Sequence, residues 1–351
     1  MSDANLPKKE CSSISAIKTT ASDGRAPEEF LRKRGYEIVS TIASGGFGKV
    51  YRVRAKRRSV SCESNSGIDS SVDLACKVFN LEGEAIRPWA EKCLKNEMFI
   101  SQYVKHENVV AACEVMKTSR HGFIFMLLCE NGSIKSDLLY NLKRPYNDKE
   151  AKERFIGLTK GLQYLHSKNI VHRDLKLDNF LLTANNVPMI ADFGFASRAK
   201  TGTMVLTQMM KKTVCGTKGY MAPELFPLLV VAFTGSGSHS GHSHHNNATV
   251  PDNWMYDAKA VDIYAMGICL FEMVELRKPF ADDYSKEVMA KIAAHQVHYH
   301  GKEVNEACKD LIADMVNFKP EERPNVDQVL KHRWISHGRV FNTIMNRLST
   351  I

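Results

Sequence analysis

The sequence predicts an α+β protein in two parts, a small antiparallel sheet with one helix followed by a larger, mainly helical region. Two observations carry that expectation. Before Gly132 the apolar residues fall in short runs bounded by turn residues, with a single stretch at helical spacing over residues 89–104. After Gly132 longer helical stretches take over, at 148–167, 261–276, 286–295 and 306–317.

Residues 1–34 are rich in Ser, Thr, Lys and Asp with little periodicity and read as a disordered tail, order beginning near Tyr36. Residues 36–42 read as a strand, Gly45-Gly-Phe-Gly48 as a tight turn and 49–53 as a second strand, which together make a hairpin. A polar loop at 59–73 leads to the apolar strand Leu74-Ala-Cys-Lys-Val-Phe79, and strands at 109–115 and 123–128 complete the sheet. The first part spans 35–126, a connecting segment 127–133 and the helical part 134–336, with 337–351 a short tail. Within the helical part, 226–256 reads as an insertion carrying a Gly/Ser/His stretch. There His239, His242, His244 and His245 have no Cys or carboxylate companion, so a solvated loop outweighs a metal site.

Composition narrows the function classes. The chain has 351 residues, 44% hydrophobic and 25% charged, which is ordinary for a globular protein and excludes collagen-like, coiled-coil and wholly disordered chains. Mean hydropathy is −0.28, and the longest uninterrupted apolar stretch, 225–233, contains Pro227 and falls far short of a bilayer span. No secretory h-region opens the sequence, so the expected compartment is intracellular, cytoplasmic and also open to the nucleus, with no membrane partner. Nine scattered cysteines without a C-x-x-C pair read as reduced thiols. The net charge is +9, and residues 1–58 hold 13 Lys/Arg against 6 Asp/Glu. No aromatic platform accompanies that excess, so nucleic-acid binding is not expected.

Chemistry enters with the motifs. A glycine turn between two strands brings backbone N–H groups close to phosphates, and a lysine, Lys77, follows about thirty residues later on a strand. His172-Arg-Asp-Leu-Lys-Leu-Asp-Asn179 matches H-R-D-L-x-x-x-N, Asp192-Phe-Gly194 follows, and Ala222-Pro-Glu224 comes after it. Phosphoryl transfer spreads negative charge over oxygens, so it needs a cation, hard-oxygen metal ligands and a carboxylate near the attacking hydroxyl.

On these blocks, in this order, the sequence resembles the eukaryotic protein kinase family from about residue 36 to 335. The resemblance implies the bilobal kinase fold, ATP as phosphoryl donor, Mg²⁺, and protein substrates carrying Ser or Thr. It implies that Lys77 grips the α- and β-phosphates and is held by Glu97. Asn179 and Asp192 would hold Mg²⁺, Asp174 would accept the substrate hydroxyl proton, and Lys176 would lie beside the γ-phosphate with Thr217 close by. The nucleotide would be lined by Ile42, Ala43, Ser44, Gly45, Gly46, Phe47, Gly48, Val50, Ala75, Met126, Leu128 and Glu130. Lys176 and Thr217 resemble serine/threonine rather than tyrosine kinases. Further by resemblance, Glu224 pairs with Arg323, Asp262 anchors the catalytic loop, and His172 stacks on Phe193.

Thr213 is the candidate phosphosite for an upstream activating kinase, with Arg173 as its partner. Thr213-Val-Cys-Gly-Thr217 and Asp192-Phe-Gly-Phe-Ala196 resemble the calmodulin-dependent-kinase group, and Arg32-Lys-Arg-Gly-Tyr36 is similar to the testis-specific serine/threonine kinases. Asp178 and Glu272 match acids that read a basic residue before the phosphoacceptor, which implies a basic preference. The chain is expected to be a monomer. It departs from the family at Ala43, at Ser101 where a large apolar residue is usual, and in the long insertion. Those departures favour the alternative, a pseudokinase scaffold without phosphotransfer. The presence of Lys77, Glu97, Asp174, Asn179 and Asp192 opposes it.

Overall fold

The computed structural model describes residues 18–19, 26–45, 48–55, 73–81, 87–198, 203–205, 217–226, 255–281, 285–294, 297–300 and 304–336. The chain divides into two compact units, one comprising Met1–His106 and Val110–Cys129, the other Glu107–Val109 and Glu130–Ile351.

The first unit is built on a six-stranded sheet. Strands β2 (Tyr36–Gly45), β3 (Gly48–Ala55), β4 (Asp73–Asn80), β5 (Ala112–Lys117) and β6 (His121–Leu127) are antiparallel neighbours in the order β5-β6-β4-β3-β2. A two-residue β1 (Lys18–Thr19) adds to the β5 edge in parallel. Strand alternation sends Cys76 and Val78 into one cluster with Tyr51, Val53, Phe123 and Phe125. It sends Phe79 to the opposite face, with Leu94 and Met98 of α2 (Arg87–Tyr103) and with Val115 and Ile124.

Order does not begin at Tyr36. Helix α1 (Pro27–Lys33) precedes it, with Phe30 3% and Leu31 0% exposed, so the expectation of a disordered 1–34 fails over 27–33 and at β1. Residues 1–17 and 20–25 lie outside the described residues. Two apolar residues in seven give no readable period, and what orders α1 is the sheet face it covers, where Phe30 stacks on Phe123 at 4.6 Å between ring centroids. Its end signals are favourable: Pro27 opens it, Glu28 and Glu29 sit in the first turn, Arg32 and Lys33 in the last, and Gly35 at φ 87° closes it. The strand expected at 109–115 begins at Ala112 instead. Val109 and Val110 are apolar because they are buried, and Val109 pairs with Ile190 in an isolated parallel bridge of the second unit.

The second unit is mainly helical. Helix α3 (Ile134–Ser136) continues into a π-helical stretch, Asp137–Leu142, and α4 (Asp148–Ser167) starts from an Asn147/Glu150 capping box. Helix α5 (Ala258–Glu275) is predominantly apolar and is buried on every side over 260–274, which is why it runs through the core, packed on α4 and on α7 (Glu306–Met315). Helices α6 (Lys286–Ala293) and α8 (Val326–Lys331) complete the set, and Trp334 packs on Phe155 of α4. Short strand pairs carry the loops: β7 (Ile170–Val171) with β10 (Ser197–Arg198), β8 (Phe180–Leu182) with β9 (Pro188–Ile190), and β11 (Thr203–Val205) with β12 (Met255–Asp257). Residues 227–254 of the expected insertion and the tail 337–351 lie outside the described residues. Among the described residues no helix is long and apolar enough to cross a membrane.

Candidate active site

In the first unit the site is written in the register of the sheet. Ala43 pairs with Val50, Val50 with Lys77 and Lys77 with Ile124, a row of partners pointing to the α2 face. Along the same face Ala75 pairs with Met126. From α2, Glu97 reaches Lys77, whose Nζ donates to Oε1 at 2.8 Å and to Oε2 at 3.0 Å. The carboxylate is 5% exposed and the ammonium 17%, so the pair is shielded while its outer side stays accessible.

At the end of the hairpin Gly45 pairs with Gly48. A Cβ on Gly48, whose φ is +135°, would lie 1.9 Å from the Val78 carbonyl oxygen, so only glycine lets β3 start this close to β4. Ile42 falls in the register shift between Thr41 and Ala43 and is 49% exposed, Ser44 pairs with Lys49, and Leu128 is buried. Gly46 and Phe47 lie outside the described residues. Ala43 pairs with Val50 directly after that register shift.

In the second unit the loop between β7 and β8 gathers the catalytic candidates. Asp174 is 6% exposed. Its Oδ1 accepts from the Thr217 hydroxyl at 3.0 Å, and its Oδ2 lies 3.0 Å from Lys176 Nζ. Lys176 Nζ also donates to Thr217 Oγ1 at 2.7 Å, closing a triangle of three sequence-predicted residues. Asn179 Nδ2 donates to the Asp174 carbonyl at 2.8 Å and to Oδ2 at 3.2 Å, which leaves Oδ1 as the acceptor of that amide. The Ala191 N–H donates to the Asn179 carbonyl at 2.9 Å, so Asp192, at φ 67°, follows directly from the catalytic loop's own hydrogen bonding. Glu130 accepts from the Ala184 N–H at 3.1 Å. Thr213 lies outside the described residues, and Arg173 donates through Nε to the Phe195 carbonyl at 2.7 Å.

The loop is held from below by Asp262 on α5. This carboxylate is 0% exposed; it accepts the His172 and Arg173 N–H groups at 2.8 Å each, and His166 Nε2 lies 3.0 Å away. Burial opposes its charge, yet the His166 contact, the nearby His172 and the backbone bond outweigh that and hold its carboxyl below the ordinary value. His172 and Phe193 pack with ring centroids 5.4 Å apart. Arg323 grips Glu224 with two bonds of 2.8 Å and also donates to the Asn317 and Ala260 carbonyls. Glu272 is 1% exposed and accepts from Lys135 and from the Tyr220 hydroxyl, whose pKa burial pushes up so that it remains a donor. Sequence reading missed His166, Lys135 and Tyr220. None lies in a signature block except Tyr220, two residues before Ala222-Pro-Glu224.

With this geometry in view, comparison with known proteins is decisive about class. The protein kinase domain model matches residues 36–335, and the chain belongs to that family. Its class is that of ATP-dependent protein serine/threonine kinases, and its two units have the make-up of the kinase fold. Human testis-specific serine/threonine-protein kinase 1 is 27% identical over 87% of this chain and 72% of its own length. The Aurora kinase of Saccharomyces cerevisiae is 26% identical over 87% of this chain and 70% of its own. A Zea mays protein named "Probable serine/threonine-protein kinase CCRP1" is 28% identical over 87% of this chain, which spans only 42% of that relative. No name among these three supports a scaffold without phosphotransfer.

Proposed function

We propose that the chain transfers the γ-phosphoryl group of ATP to serine and threonine hydroxyls of protein substrates. The observation that carries this reading is the closed triangle of Asp174, Lys176 and Thr217. Asp174 is desolvated and oriented by Lys176, Thr217 and Asn179, which suits a carboxylate that aligns a substrate hydroxyl and takes its proton as the O–P bond forms. Lys176 supplies positive charge where the transferring group gathers negative charge. Lys77, fixed by Glu97, neutralises the phosphates of the bound nucleotide, while Val50, Ala75 and Met126 offer an apolar face to the base. The donor set fits a hard divalent cation: the Asn179 amide oxygen and the Asp192 carboxylate would hold Mg²⁺, which supplies charge neutralisation to the phosphates.

A basic preference before the phosphoacceptor rests on Asp178, which is exposed beside Asn179. Glu272 adds little to it, because Lys135 and Tyr220 already engage its carboxylate. Phosphorylation of Thr213 by an upstream kinase is part of the same proposal.

The test is transfer from labelled Mg-ATP to a basic serine peptide. Asp174→Ala is expected to lower kcat about a thousandfold with the melting temperature kept within a few degrees. Binding of ATP by the wild type with no transfer, before and after treatment with activating kinases, would overturn the proposal.

A further inference from the structure

Helix α1 covers the face of the sheet opposite α2, and its two apolar residues do the anchoring. Phe30 and Leu31 are buried in the cluster that also holds Tyr51, Val53 and Phe123. One turn earlier, Glu28 faces β3. Its Oε1 accepts from the Tyr51 hydroxyl at 2.5 Å and lies 4.0 Å from Lys49 Nζ. Both partners stand at the start of β3: Lys49 follows Gly48 directly, and Tyr51 pairs with Thr41 and Cys76. The Tyr51 bond, ahead of the Lys49 charge, holds the Glu28 carboxyl below its ordinary value, so the group is ionised and charge-assisted at neutral pH.

The contact adds little to folding in itself. Glu28 is 34% exposed and Lys49 55%, the range in which ion pairs contribute little to stability. What it does is mechanical. β3 carries one side of the glycine turn, and Gly48 fixes that strand against β4 at the Val78 carbonyl. Glu28 adds a second fixed point, from outside the sheet, within three residues of Gly48.

We propose that Glu28 is a positioning residue for the nucleotide: by tying Lys49 and Tyr51 to α1 it sets where the start of β3, from Gly48 onward, lies, and so sets ATP affinity. The inference rests on the reading that the glycine turn covers ATP.

The experiment measures Mg-ATP binding by calorimetry, kcat, melting temperature and amide hydrogen exchange over residues 48–53 in the full chain. Glu28→Ala and Tyr51→Phe each weaken ATP binding about three- to tenfold, the worth of one ordinary hydrogen bond. They leave kcat at saturating ATP and the melting temperature near wild type, and they speed exchange over 48–53 without nucleotide. Glu28→Gln, which still accepts from Tyr51, restores most of the affinity, and the double variant is no weaker than the worse single one. Unchanged affinity and exchange in Glu28→Ala, while the wild type binds Mg-ATP, overturn this inference and leave the kinase reading standing. Weakened binding that tracks a fall in melting temperature, with no rescue by Glu28→Gln, overturns it in favour of a purely structural contact. A wild type that binds no Mg-ATP overturns the nucleotide reading, and the inference with it.

Discussion

The catalytic loop over 172–179 is held from inside by Asp262, a fully buried carboxylate whose oxygens take two backbone N–H groups of the loop. The hairpin of β2 and β3 is tied instead by two buried tyrosines, Tyr36 donating to Glu114 at 2.9 Å and Tyr51 to Glu28 at 2.5 Å. Its order comes from the ladder to β4, from the close approach allowed by Gly48 and from contacts with α1. On the proposed function, the contrast follows from what each region would do. A group that must meet a hydroxyl within hydrogen-bond distance gains from over-determined placement, since small displacements are costly. A turn that folds over a nucleotide gains from backbone freedom, and glycine supplies that freedom at an entropic cost.

Three variants break or sharpen this contrast. Asp262→Ala has the largest expected effect. It strands two buried N–H donors and His166, so the unfolding free energy in a denaturant titration falls by about 3–5 kcal/mol, with activity lost even in the folded fraction. A loss below about 1 kcal/mol would mean that the loop does not depend on its buried carboxylate.

Gly48→Ala comes next. Its Cβ meets the Val78 carbonyl at 1.9 Å and its φ is +135°, so β3 must shift from β4. The expected cost is about 1–3 kcal/mol, with the KM for ATP raised more than kcat is lowered. Equal KM values for the variant and the wild type would separate the turn from nucleotide binding.

The smallest effect lies away from both regions, at the α4 capping box. Arg144 beside Glu150, ahead of the Asn147 backbone bond, holds the Glu150 carboxyl down to about 2 from 4.5. A depressed carboxyl contributes stability above its unfolded value and loses it as pH falls through its folded value. The melting-temperature gap between wild type and Glu150→Gln is therefore constant above pH 5 and closes between about 4.5 and 2. The gap is small, at most a few degrees, because Arg144 is largely solvated. A gap that persists at pH 2 would assign the effect to the cap rather than to the charge.

Much of this architecture is legible in the chain. Helix α4 begins and ends at the residues its apolar period gives, 148 and 167, since Asn147 and Glu150 mark the start chemically. The signature block at 172–179 could be placed because the chemistry requires fixed residue types at fixed spacing, and Lys77 with Glu97 through the resemblance to the kinase family that those blocks carry. The failures have a common cause. Helix α1 is too short and too charged to show a period, and Val109 is apolar for a bridge to Ile190, not for a strand. Glu272 looks like a free acid in sequence, and only packing reveals Lys135, 137 positions away, as its partner.

By itself, then, the sequence determined the strand over 74–79, the helical stretches that became α4 and α7 and the order of the signature blocks. These depend on local backbone geometry and on residue chemistry. The tertiary structure alone decided that α1 covers the second sheet face, that Asp262 is buried against His166 and two backbone N–H groups, and that Glu28 meets Tyr51 across 23 positions. Burial, and partners distant in the chain, are set by how the elements pack, which no local period records.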